Sequence, residues 1–126
     1  MNLGTPKGFL TVGGVVLVLL ALAGFTFLGP TEAASAMGSF FWLDNGENWA
    51  HLLLGVVGLL VAFALPANGN FQKWLVAVLG VVGILVAVSG FVSSNFLGAN
   101  LEMPSDNILH LVVGVWALWA AFGKSR

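Results

Sequence analysis

Four long apolar stretches decide most of what this chain can become. They run Phe9–Leu28, Asn48–Leu65, Gln72–Asn95 and Asn107–Gly123, and apart from Lys73 at the edge of the third they contain no acid, lysine or arginine. Each is close to the roughly 20 residues that cross the hydrocarbon core of a bilayer. A soluble domain carries about 25% charged residues, whereas charged residues make up 7% of this chain and hydrophobic residues 59%. There is too little polar surface to coat a globule in water, so the sequence predicts an all-α integral membrane protein with four transmembrane helices.

Breakers separate the stretches. Gly29-Pro30 is expected to end the first, because proline lacks an amide donor and restricts the residue before it. Pro66-Ala67-Asn68-Gly69-Asn70 reads as a tight turn. Pro104-Ser105-Asp106-Asn107 opens the fourth, with Ser105 or Asp106 placed to cap it. The positive residues are Lys7, Lys73, Lys124 and Arg126; the acids are Glu32, Asp44, Glu47, Glu102 and Asp106, all in the other two loops. Positive residues mark the cytoplasmic side, so both termini and the middle turn are expected inside. Lys7, the first apolar run and Ala34-Ser35-Ala36 imitate a cleaved secretory signal. The run is long for one, and it has a counterpart later in the chain.

That counterpart belongs to an internal repeat, expected over residues 8–66 and 71–124 of one membrane domain spanning 1–126. Gly14, Gly24 and Phe25 match Gly80, Gly90 and Phe91 at one constant offset. Glu47, Asn48, His51, Leu52, Gly55, Ala62 and Phe63 match Asp106, Asn107, His110, Leu111, Gly114, Ala121 and Phe122 at another. The offset changes because the first outer loop is longer. Two spans per unit imply two tandem helical hairpins inserted in the same sense, related by a pseudo-twofold axis along the membrane normal. Gly83-x-x-x-Ala87 and Ala117-x-x-x-Ala121 offer small faces for close helix contact. Phe40, Phe41 and Trp42 in the longer loop suit an aromatic anchor at the headgroup level.

Composition excludes several functions. A net charge of -1 leaves no basic patch for nucleic acid. The absence of cysteine removes disulfides, thiolate metal sites, cysteine nucleophiles and covalently attached haem. No serine stands in a nucleophile elbow, and no Gly-Lys-Ser/Thr follows the glycine-rich runs. No catalytic residue is expected.

The one unusual constellation is the pair of strings Glu47-Asn48-x-x-His51-Leu52-x-x-Gly55 and Asp106-Asn107-x-x-His110-Leu111-x-x-Gly114. Acid and histidine, and histidine and glycine, share a helix face at i,i+4, and asparagine and histidine at i,i+3. In a structural reading the acids and asparagines cap helices, the histidine bonds its asparagine or a loop carbonyl, and the glycine admits a neighbouring helix. In a second reading His51 and His110 ligate a tetrapyrrole, haem b or a chlorophyll-type pigment, with Gly55 and Gly114 leaving room for a flat macrocycle. Against haem, no outer arginine or lysine pairs its propionates. In a third, Glu47, His51, Asp106 and His110 hold a divalent metal. A transport or proton-relay role lacks the mid-span ionisable group it needs.

The strings resemble those of a group of small bacterial four-helix membrane proteins carrying a domain-of-unknown-function label. Asn48, His51, Leu52 and Gly55 supply the first motif; Asp106, Asn107, His110, Leu111 and Gly114 supply the second. The resemblance implies the four-span architecture and a bacterial inner membrane, but no activity. It departs in a longer aromatic first outer loop and a shorter turn between the second and third helices. The combined expectation is a non-enzymatic accessory or structural subunit, lying in the lipid bilayer and associating with itself or a larger membrane complex.

Overall fold

The structure, a computed structural model, describes residues 2–66, 70–93, 95–96, 99–100 and 105–123. Four helices carry it: α1 Pro6–Phe25, α2 Asn45–Ala64, α3 Asn70–Val92 and α4 Ser105–Phe122. A 3-10 turn at Gly38–Phe40 interrupts the loop after α1. A two-residue antiparallel pair, β1 Asn95–Phe96 with β2 Ala99–Asn100, follows α3. All four helices are long and apolar enough to cross a membrane. At 1.5 Å per residue they are about 27 to 35 Å long, against about 30 Å of hydrocarbon.

Helix boundaries follow local capping chemistry more than the apolar pattern. α1 begins before the apolar run, because Thr5 Oγ1 accepts from the Gly8 amide at 3.0 Å and Pro6 stands at the first helical position. It ends at Phe25 and not at Gly29-Pro30. The Thr26 amide donates to Ala23 O at 3.1 Å, and the Thr26 hydroxyl donates to Leu22 O at 2.8 Å. Gly29 has a different use: a Cβ there would fall on the carbonyl oxygens of Leu43 and Gly24. The returning loop therefore crosses the end of α1 at backbone contact.

α2 also starts earlier than expected. Asp44 is its N-cap, accepting from the Glu47 amide at 2.8 Å. Glu47 and Asn48 thus lie within the first turn and are not caps. In α4, Ser105 and Asp106 are likewise helical, correcting their assignment as caps. The Ser105 hydroxyl instead donates to Phe40 O at 2.9 Å, tying the long outer loop to α4. Residues 67–69 of the expected turn lie outside the described residues, as do Glu102, Pro104, Lys124 and Arg126.

Contact is closest within the pairs α1–α2 and α3–α4, and α1 also touches both α3 and α4. The packing between pairs is built largely from small side chains. Phe9 and Leu10 of α1 meet Ala62, Val76, Ala77, Ala117, Ala120 and Ala121. Water gives no hydrophobic drive inside lipid, so close van der Waals approach must hold such helices together. Ala117 and Ala121 serve the expected small face, while Gly83 abuts the α4 backbone at Gly114 Cα. Two polar ties add to this packing. Trp116 Nε1 donates to Leu3 O at 2.9 Å, and buried Gln72 Nε2 donates to Val61 O, Ala62 O and Leu65 O at the end of α2. Only 28–33% of each span is buried, so most of every helix presents apolar side chains outward.

Candidate functional site: the paired Asn and His strings

Each string occupies the first turns of its helix, and its polar residues are more deeply placed than their position suggests. Asn48 and Asn107 are fully buried, and Glu47 and Asp106 nearly so. A buried carboxylate needs partners to offset lost hydration, and both acids interact with neighbouring groups.

The asparagines meet the preceding helix of their own pair. A Cβ built on Gly24 would fall on Asn48 Oδ1, and one built on Gly90 would fall on Asn107 Oδ1. Only glycine lets the amide lie flat against the helix there. Two turns along the helix the pattern repeats against the backbone and side chains of the neighbouring helix. A Cβ on Gly55 would sit 2.9 Å from Gly14 O; one on Gly114 would sit 2.9 Å from Gly80 O. In return, a Cβ on Gly14 would sit 2.8 Å from Leu59 Cγ, and one on Gly80 2.9 Å from Leu118 Cγ. Real Cβ contacts are essentially never this short, so these are points where helix backbones touch. The same contacts therefore recur in both pairs at the two sequence offsets.

α1 and α3 fill the space beside Gly55 and Gly114, so no macrocycle lies on that face of either helix. The structural alternative, a glycine that admits a neighbouring helix, is what the contacts describe.

The histidines are less alike than their strings. His110 Nδ1 lies 2.8 Å from the Asp106 carbonyl oxygen. A carbonyl can only accept, so Nδ1 carries the proton and Nε2 keeps its lone pair in the neutral ring. The expected pairing of histidine with the acid side chain is thus replaced by a bond to that residue's backbone. His51 Nδ1 is buried with no hydrogen-bond partner among the described residues. Nor does Asn48 bond His51: its Nδ2 donates to Leu43 O at 3.3 Å, inside the returning loop.

The metal expectation also changes. Among the described residues no group of three or more His, Asp and Glu side chains is gathered to hold an ion. Glu47 and Asp106 are buried at the starts of their own helices. His110 turns its ring back onto its own chain, and the four groups do not converge.

Compared with family models, curated proteins and solved structures, the chain matches none. Its chemistry has to be read from its own residues.

Several paired features escaped the sequence reading. Lys7 Nζ lies 5.3 Å from the centroid of the Phe63 ring, and Lys73 Nζ lies 5.3 Å from that of Phe122. Lys7 and Lys73 are related by the same offset as Gly14 and Gly80, and Leu59 and Leu118 by that of His51 and His110. Extending the repeat to every position along both offsets would have found them. The capping role of Asp44 and the three-carbonyl role of Gln72 have no such signal, because neither residue has a like counterpart in the other unit.

Proposed function

We propose that the chain is an integral membrane protein with both termini on the cytoplasmic side of a bacterial inner membrane. We take it to act as a non-enzymatic accessory or structural subunit that associates laterally with its own copies or with a larger membrane complex. The observation that carries this reading is where the polar groups are spent. The asparagines and glycines of both strings are consumed in joining α1 to α2 and α3 to α4, and the outward surface left over is apolar. The complete segregation of basic from acidic residues supports the orientation. The resemblance to small bacterial four-helix proteins supports the compartment.

α2 has the freest flank. Its contacts run mainly to α1, and it turns Leu53, Val56, Val57 and Leu60 outward. The native chain has no cysteine, so Leu53→Cys and Leu60→Cys on α2, with Val78→Cys and Leu85→Cys on α3, give clean cross-linking probes. In native membranes a bis-maleimide should trap a species of higher mass from the α2 positions and not from α3. Monomer alone from all four positions would sink lateral association through α2.

A second reading is favoured by His110. An imidazole whose Nδ1–H is held by a backbone carbonyl presents Nε2 in the form that ligates iron or magnesium. His110 and His51 could supply axial nitrogens to a tetrapyrrole, which would bring redox or light-absorbing chemistry. The donor atoms fit such a group; the space beside Gly55 and Gly114 does not.

A further inference from the structure

Two shallow apolar depressions on the described surface each include an aromatic ring that a lysine overlies. The first, of about 440 Å³, is lined by Val56, Leu59, Leu60, Phe63 and Ala64 of α2. Phe63, at its far end, lies beneath Lys7. The second, of about 330 Å³, runs between α3 and α4 over Ala77, Val81 and Leu118 to Trp74 and Phe122. Lys73 stands 5.3 Å from the centroids of both those rings. Leu59 and Leu118, Phe63 and Phe122, and Lys7 and Lys73 are pairs of the internal repeat, so the lysine, ring and leucine recur in both units, although the first groove lies on α2 and the second mainly on α3.

Charge is arranged to match. Lys7 and Lys73 lie in the opening turns of α1 and α3, where no acid is present. No carboxylate stands at either start to repel an anion drawn to the lysine and the positive end of the helix dipole. The starts of α2 and α4, at the other end of the bundle, carry Glu47 and Asp106. Both lysines are half-buried, and each holds its ammonium 5.3 Å from the centroid of a ring that lines the groove, an arrangement suited to a lysine at a membrane interface. Each groove therefore offers hydrocarbon contact along its length, a flat ring near its mouth and a cation at the mouth.

We propose that each helical pair holds one anionic phospholipid, an acyl chain in the groove and the headgroup phosphate against Lys7 or Lys73. The inference rests on the membrane orientation proposed above, because the lysine ends must face the leaflet that carries anionic lipid. It goes beyond that reading by giving the two positions and the headgroup class. The phosphate contributes its charge to the lysine and to the helix start, while the acyl chain supplies the selectivity over a free phosphate ion.

The test is native mass spectrometry of the full chain released from nanodiscs containing equal phosphatidylglycerol and phosphatidylcholine. The unaltered protein should retain up to two phosphatidylglycerol molecules. Lys7→Gln or Lys73→Gln should retain at most one, and the double variant none. Inorganic phosphate at millimolar concentration should not displace the bound lipid. Unchanged retention in the double variant, equal retention of phosphatidylcholine, or displacement by phosphate would overturn the proposal. Protease accessibility of tags at both ends, measured in oriented vesicles, separates this failure from failure of the orientation. If the tags lie inside and lipid retention is unselective, only the lipid proposal falls. Tags found outside would remove the orientation on which it rests.

Discussion

The two helical pairs share their inner surfaces and differ at their outer ends. In both, an asparagine in the first turn of the second helix lies on a glycine of the first, and a glycine two turns on meets backbone. Around Asn48 the first pair adds a built loop. Asp44 caps α2, the Leu43 amide donates to Leu28 O at 2.8 Å, and Leu43 O accepts from Asn48 Nδ2. Phe25 also meets Trp49 edge-on, with ring centroids 5.1 Å apart. In the second pair the equivalents of these two are Phe91 and Ile108, and among the described residues neither side-chain polar atom of Asn107 has a hydrogen-bond partner. What both units keep is the point of contact between helices; around Asn48 the loop of the first pair also braces it.

The comparison breaks most directly at the glycines. Gly24→Val and Gly90→Val each push a side chain into a buried amide, and overpacking of this kind costs about 1 to 3 kcal/mol. Thermal or denaturant unfolding in mild detergent should show losses of similar size in the two variants. A loss confined to Gly24→Val would mean that the loop, and not the shared contact, makes the first pair rigid.

A smaller effect should separate the asparagines. Asn48→Leu leaves Leu43 O without its side-chain donor, a loss of about 1 to 2 kcal/mol. Asn107→Leu removes two polar atoms with no hydrogen-bond partner among the described residues, and its unfolding midpoint should move far less. Equal losses would show that the contact with glycine outweighs the hydrogen bond. Smaller again is Asp44→Ala, which removes the cap of α2 at about 1 kcal/mol. Hydrogen exchange should then rise at the amides of Glu47 and Asn48 and stay unchanged in α4. Last comes Trp49→Ile, which makes the first pair resemble the second. Losing the edge contact with Phe25 should cost about 0.5 to 1 kcal/mol, read from the same unfolding curve.

The four helices were legible in the sequence because uninterrupted apolar length leaves few other folds open to a chain. Their ends were less so. Thr5 and Asp44 begin helices ahead of the apolar runs, and the runs themselves contain no trace of those caps. Gly29 looked like a helix stop and proves to be a crossing point, since a close approach between distant segments leaves no local mark beyond the glycine itself. The repeat placed Asn48 with Asn107 and His51 with His110, yet the Gly24 and Gly90 beneath the amides were matched only to each other. Sequence symmetry pairs like with like; which positions touch across the two helices is set by their packing. The histidines show the same limit, since matching strings put the Nδ1 of His110 on a carbonyl and give that of His51 no partner among the described residues.

The central claim is that the repeated strings are used up in joining helices, not in holding a prosthetic group. Its most direct test is an optical spectrum, with elemental analysis, of the protein gently purified from its native membrane, beside a His51→Ala/His110→Ala double variant. Helix joining predicts only tryptophan absorption in both, with no metal in molar proportion to the chain. A Soret or chlorin band, or a stoichiometric metal, present in the native protein and absent from the variant would contradict it.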